Sequence, residues 1–289
     1  MEYLNYNIAG HSFIIETPDS FVTKTLIPTF DNFLKTDGEE ERDVLFRFIG
    51  NCNIVVPKLD PVEDIITEGI NFKLYIEGGV TTVYMREKDV EYHFSITSDR
   101  DYVFTDLTLI SENESNFLFY FLRTVFGILS AFHKTLKVHA SVIEKDGKAL
   151  VFLGKSGTGK STQSRLWLQY VPHSTLLNDD EPLIRIMSDG TIRVYGAPWS
   201  GSTPCYRNIF ADLSAFVFLQ QSSENLLYKL DGLTSFSVLL KSTSIMRCDN
   251  KNRLMIISVI YEILEKASVY RLNNRPEKEA VALSKTLLI

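Results

Sequence analysis

Gly154-Lys155-Ser156-Gly157-Thr158-Gly159-Lys160-Ser161 has the spacing G-x-x-x-x-G-K-[ST]. The apolar run Ala149-Leu150-Val151-Phe152-Leu153 ahead of it is long enough for one buried strand. Behind it, Thr162 to Tyr170 puts Leu166, Trp167 and Tyr170 on one face of a helix. Glycines permit torsions and close approaches that side chains forbid. Successive N–H groups then turn into the loop at the positive end of the helix and form a cradle for phosphate oxygens. On this reading Gly154, Lys155, Ser156, Gly157, Thr158, Gly159, Lys160, Ser161 and Thr162 bind a nucleotide's phosphates. Lys160 reaches the outer phosphates and Ser161 offers its hydroxyl to Mg²⁺. A plain glycine-rich turn is the alternative, and the strand and helix on either side weigh against it.

Phosphoryl transfer needs more than a cradle. A metal must bridge the phosphates, and a carboxylate must meet the attacking hydroxyl. Ser174 to Leu177 is a short apolar run that ends in Asn178-Asp179-Asp180-Glu181. A strand there delivers both aspartates to the top of a sheet, pointing to opposite sides. One then faces a metal and the other an acceptor. A solvated turn is the alternative for an acidic run, and the short distance from the glycine loop weighs against it. His139 lies in Val138-His139-Ala140-Ser141, within an expected strand Leu136 to Ile143 that turns at Lys145-Asp146-Gly147-Lys148 into the glycine-loop strand. A lone strand histidine is more often a packed or surface residue. His133 and His173 stand beside no other candidate and read as structural.

The rest of the chain sets bounds. It has 289 residues, enough for one large domain or two ordinary ones. Hydrophobic residues at 45% and charged residues at 23% describe a globular chain with a normal core. The net charge of −6 argues against nucleic acid as the main partner. Cys52, Cys205 and Cys248 are far apart and suit a reducing cytosol rather than a disulfide framework or metal site. The first ten residues carry no signal-peptide pattern, so a cytoplasmic location is expected. Phe117 to Phe132 is apolar on nearly every side, but Arg123, Gly127 and Ser130 dilute it; it reads as a buried helix over 115–133, not a membrane span.

Before that helix the pattern is β. Strands are expected over 4–16, Asp43 to Ile49, Asn53 to Pro57, Asn71 to Glu77, Val80 to Arg86, Val90 to Thr97 and 102–110. Gly78-Gly79 between alternating runs indicates a hairpin. After the acidic run, Leu183 to Met187 and Thr191 to Tyr195 form a hairpin around Ser188-Asp189-Gly190, and residues 197–208 form a loop. Leu213 to Leu219 is a buried strand, Leu233 to Leu240 and Arg253 to Lys266 are helical, and Val269 to Leu272 is a last strand. Pro276 suits the first turn of a closing helix.

His139-Ala140-Ser141, Val151 through Thr162 and Leu177-Asn178-Asp179-Asp180-Glu181 together resemble the nucleotide site of ATP-dependent phosphoenolpyruvate carboxykinase. HPr serine kinase/phosphorylase has the same arrangement. The resemblance covers residues 136–200, with a weaker echo to the C-terminus. It implies an α/β (α+β) fold with the P-loop on a carboxykinase-like bent mixed sheet, over 113–289; the strand pattern ahead of it makes 1–112 a mostly antiparallel β unit. It implies ATP and Mg²⁺ as cofactors. Gly154, Gly157, Gly159 and Lys160 would hold the phosphates, Ser161 and Asp180 the metal; Asp179 would be the base, and His139 would lie near metal and phosphate. Carboxykinases are much longer chains, and nothing here resembles their dicarboxylate site. Thr162 stands where HPr kinases carry an acidic residue, and Tyr195 to Gly201 replaces the segment linked to their phosphorylase activity. That loop looks like a feature of HPr-kinase-like proteins of unassigned substrate, some of them peptide-modifying.

Arg207, followed by Asn208, is a candidate for the charge that a transferring phosphoryl group develops, with a surface ion pair as the alternative. Lys241 and Arg247 are weaker candidates of the same kind. The expected function is an ATP- and Mg²⁺-dependent kinase acting on a hydroxyl, with serine of a small protein or peptide favoured. A non-catalytic nucleotide-binding regulatory module and a small-molecule kinase are the alternatives. No nucleic-acid or membrane partner is expected, and a homo-oligomer is left open.

Overall fold

The computed structural model describes residues 1–35, 44–67, 69–201, 203–244 and 249–288. The expected strand start at Asp43, the loop residue Ser202 and the candidates Arg247 and Cys248 lie outside them. The chain is a mixed α/β protein with two mixed sheets, in two compact units: Met1–Ser130 with Met246–Arg253, and Ala131–Ile245 with Leu254–Ile289.

In the first unit the elements are β1 (Glu2–Ile8), β2 (His11–Thr17), α1 (Ser20–Leu26), β3 (Val44–Ile49), β4 (Glu63–Thr67), β5 (Ile70–Glu77), β6 (Val80–Glu87), β7 (Val90–Ile96), β8 (Tyr102–Thr105) and α2 (Ser115–Ser130). The strands form one sheet in the order β1-β2-β3-β8-β7-β6-β5-β4. β2–β3 and β3–β8 are parallel and the other pairs antiparallel. Gly78 and Gly79, at φ 57° and 83°, close the β5–β6 hairpin with the left-handed pair that a two-residue turn demands. The single strand expected over 4–16 is itself a hairpin, turning at Ala9-Gly10 with φ 52° and 76°. Alanine gives no turn signal, so sequence hid this break. Asn53 to Pro57 is not a strand. The edge is β4 instead, whose adjacent Ile65 and Ile66 are exposed and so lack the alternation of a half-buried strand.

The apolar helix packs on this sheet. Phe117 meets Tyr92, Phe121 meets Phe94 at 4.7 Å between ring centres, and Phe126 meets Phe13. Glu112–His133 is long and apolar enough to cross a membrane by composition, but most of its apolar side chains are buried within the protein. Because α2 covers the first sheet, the division between units falls after Ser130 rather than at residue 112.

The second unit contains β9 (Thr135–Lys137), β10 (Ala140–Lys145), β11 (Lys148–Leu153), α3 (Lys160–Tyr170), β12 (Thr175–Asp180), β13 (Leu183–Ile186), β14 (Ile192–Tyr195), β15 (Phe210–Gln221), β16 (Leu226–Lys229), α4 (Gly232–Ser242), the greater part of α5 (Asn250–Leu264), β17 (Val269–Asn274) and α6 (Lys278–Lys285). The closing helix therefore starts after Pro276, not at it. β12, β10, β11 and β15 are consecutive neighbours. β11 is antiparallel to β10 and parallel to β15. On its other edge β15 pairs with β14 through Phe210 to Asp212 and with β17 through Phe216 to Gln221, so the sheet forks there. β11 is covered on both faces, which explains its unbroken apolar run. Val151 and Leu153 pack with Val259 and Ile260 of α5, while Leu150 and Phe152 pack with Trp167 of α3 and Val281 of α6.

The strand expected over Leu136 to Ile143 breaks at Val138-His139. β9 pairs with β13, and β10 with β11 and β12. At the break Val138 N donates to Pro182 O and His139 N to Ser242 O.

Phe121→Ala removes a fully buried ring from the contact with Phe94. Urea unfolding of the variant is expected to show a loss of about 3–5 kcal/mol.

Candidate functional site

Between β11 and α3 the backbone leaves the torsions open to ordinary residues. Gly154, Gly157 and Gly159 have φ of 152°, 79° and 101°. A Cβ on Gly154 would strike Thr158 Oγ1, whose hydroxyl donates to Lys155 O and ties the loop across its base. Gln221, at the end of β15, donates to Gly157 O at 3.3 Å. No acidic residue stands in the first turn of α3, so the positive end of its dipole is left for an anion.

Lys160 points back into the loop. Its Nζ lies 2.9 Å from Gly154 O, 2.9 Å from His139 Nε2 and 3.4 Å from Lys155 O, which accounts for all three ammonium hydrogens. Burial holds its pKa below the usual lysine value, against the attraction of Asp180 and Asp179. An ammonium only donates, so His139 Nε2 accepts and the ring proton sits on Nδ1. That Nδ1 faces Asp180 Oδ1 at 3.2 Å.

The register of β12 on β10 sets Asp179 opposite Ser141 and Asp180 opposite Ala140. The two carboxylates part to opposite sides, as adjacent strand residues do. Asp179 Oδ1 accepts from Ser161 Oγ at 3.1 Å, and Asp180 goes to His139. A cavity of about 330 Å³ lies between the walls, lined by His139, Ser156, Gly157, Gly159, Lys160, Ser161, Thr162, Asp179, Asp180 and Gly201. Gly154, Lys155 and Thr158 shape the loop from outside this lining.

Residues 196–201 and 203–208 run along the outer edge of β12. Gly201 N and Ser200 Oγ both donate to Asp179 O. Asn178 Nδ2 donates to Trp199 O at 2.9 Å, and Trp199 Nε1 to Glu181 O at 2.7 Å. Gly196 and Gly201 sit against β12: a Cβ on Gly201 would lie 3.0 Å from Asp179 O, and one on Gly196 would lie 3.2 Å from Leu177 O and strike Arg207 O. Arg207 belongs to this strap. Its Nη1 donates to Leu176 O at 2.7 Å, and it does not line the cavity. The expectation that it meets a transferring phosphate therefore gives way to an anchoring role. Lys241, His133 and His173 also lie outside the lining. Glu181, the third acidic residue of the run, is not in the cavity but pairs with Lys137 at 3.0 Å. Sequence reading marked Gly196, Trp199 and Gly201 as part of a distinctive loop but not their seat on β12, and it passed over Lys137, because these partners are remote in the chain.

Among the described residues no group of three His, Cys, Asp or Glu side chains is arranged to hold a metal. An ion at this site would rely on the Ser161 hydroxyl, the nearby carboxylate and the ligand's own oxygens. Neither family models nor curated proteins provide a significant match to the chain.

Asp180 has φ 156°, a conformation that suits glycine and costs other residues about 1–3 kcal/mol. Asp180→Gly is expected to raise the melting temperature by a few degrees, about 2–4 °C per kcal/mol, in a thermal scan. Lys160 predicts a pH effect. Between its lowered pKa and the ordinary 10.5, the unfolded chain binds more protons than the fold, so wild-type stability rises with pH across that window. Lys160→Met lacks this rise. The stability of the variant relative to wild type is therefore expected to be highest near neutral pH and to fall towards pH 10.

Proposed function

We propose that this chain is an ATP- and Mg²⁺-dependent kinase that transfers the γ-phosphoryl group to a hydroxyl, with serine of a small protein or peptide as the acceptor. One observation carries the reading: Lys160, Ser161, His139, Asp179 and Asp180 meet around one cavity at the N-terminus of α3. Glycines with positive φ supply the phosphate cradle, and the partly buried Lys160 supplies a charge that a phosphate oxygen would stabilise.

The residues fit a magnesium ion. Ser161 Oγ and Asp179 Oδ1 are 3.1 Å apart, close to the spacing of adjacent ligands when each oxygen is about 2.1 Å from an octahedral ion. They would hold it, and when bound it would neutralise charge on the β- and γ-phosphates. This assigns Asp179 to the metal and leaves Asp180 as the base, the reverse of the roles that the carboxykinase resemblance implies. Asp180 takes the acceptor's proton as the acceptor oxygen bonds to phosphorus and the bond to the leaving nucleoside diphosphate breaks. His139 Nδ1–H orients the carboxylate. Lys160 exchanges a loop carbonyl for a phosphate oxygen. We assign the second unit to the carboxykinase-like P-loop fold. A forked mixed sheet, with the glycine-loop strand between an antiparallel and a parallel neighbour, supports that reading over a doubly wound one. The serine acceptor follows the resemblance to HPr kinase. A cytosolic location accords with the free Cys52 and Cys205.

The test is label transfer from γ-labelled ATP with Mg²⁺ to a panel of serine-containing peptides. Labelled phosphoserine is expected. Asp180→Asn is expected to lower the rate about 10²–10⁴-fold, the range of general base catalysis, while ATP–Mg²⁺ still raises the melting temperature. A rise in melting temperature with neither ADP nor labelled product from the wild type would replace this reading with a nucleotide-sensing module.

A further inference from the structure

Two charges are sunk beside the cavity without entering it. Lys137 and Glu181 form an ion pair at 3.0 Å with each side chain only 10% exposed. Ser244 Oγ donates to Glu181 Oε1 at 3.0 Å, and the Lys137 ammonium lies 5.9 Å from the centre of the Trp199 ring. Burying such a pair costs desolvation that mutual attraction seldom exceeds, so it is poor value as a stabiliser. Its position is the informative part. Lys137 ends β9, two residues before His139, and Glu181 directly follows Asp180. The pair closes the gap between the chain segments that carry the two halves of the His139–Asp180 contact. At that point the β9–β10 strand is broken and Asp180 is in a strained torsion. Backbone bonds from Val138 N to Pro182 O and from Ser244 N to Lys137 O brace the same junction.

We propose that Lys137 and Glu181 are positioning residues: their buried ion pair, seated on Trp199, sets His139 against Asp180 with the ring proton on Nδ1. The catalytic consequence rests on the kinase reading above; the geometric one does not. Neither member of the pair lines the cavity, so its removal leaves nucleotide binding alone and disturbs the base.

The experiment compares wild type with the paired variant Lys137→Met/Glu181→Met, in which no charge is left buried and unmatched. Three readouts are taken: thermal stability, ATP kinetics with Mg²⁺ and the chosen peptide, and the His139 tautomer by long-range ¹H–¹⁵N NMR, assigned with His139→Gln. The expected result is a melting temperature equal to or above wild type, as paired apolar replacement of buried ions often gives. KM for ATP stays within about twofold, kcat falls at least about tenfold, and His139 loses the single Nδ1–H signature. Lys137→Arg, which keeps the pair, retains both kcat and tautomer. An unchanged kcat, or an unchanged tautomer, in the paired variant overturns the proposal. If the paired variant does not fold, Trp199→Phe serves instead: it removes the bond to Glu181 O and shrinks the ring on which the Lys137 ammonium is seated, and a tautomer identical to wild type overturns the proposal. If wild type turns over no ATP, the kinase reading fails, and the tautomer alone decides the positioning role.

Discussion

β12 is an edge strand, and an open edge leaves a row of backbone donors and acceptors without partners. The chain meets this constraint with its own residues 196–201 and 203–208. Arg207 and Cys205 bond to the carbonyls of Leu176 and Leu177, Gly201 and Ser200 to that of Asp179, and Trp199 to that of Glu181. The same bonds that protect the edge hold the acidic run in place. Placement of two carboxylates thus arises from a general need of sheets, and Gly196 and Gly201 are there because nothing larger fits between strap and strand.

The opposite wall is built by a different economy. The glycine loop takes torsions that only glycine adopts readily, and its lysine bonds to the loop's own carbonyls. Lys160 is shielded from water while still charged, and Asp180 sits in a torsion better suited to glycine. Both features cost stability, and both lie at the cavity. A strained torsion and a shielded charge side by side at one cavity mark a place where selection favoured something other than stability.

Local chemistry was legible in the sequence; remote pairing was not. The glycine loop, the run of apolar residues before it, the Gly78-Gly79 hairpin and the apolar helix all announce themselves within ten or twenty residues. The convergence of His139, Ser161, Asp179 and Asp180 was also within reach, because strand ends and a helix start place side chains predictably. What escaped depended on contacts far along the chain. Arg207 carries a charge that suits phosphate, yet its partner is a backbone carbonyl on β12. The turn at Ala9-Gly10 and the break at His139 lie inside stretches whose apolar residues resume directly after them. The unit boundary depended on which sheet α2 covers, and an all-round apolar helix does not say.

β15 gives the cavity a mechanical property. Its twelve residues run as one beam from the end of the strap to the glycine loop: Ile209, just before it, accepts from Gly196 N, and Gln221, its last residue, donates to Gly157 O. β11 pairs with one edge of the beam from Asp212 to Phe218, and β14 and then β17 pair with the other, so that it is held from both edges at Asp212 and from Phe216 to Phe218. The two walls are therefore fixtures on a single rigid member. Widening the gap between them means bending a strand whose middle is hydrogen-bonded on both edges. Such a frame acts as a jig with a fixed gauge, and a ligand must enter by local yielding of the glycine loop.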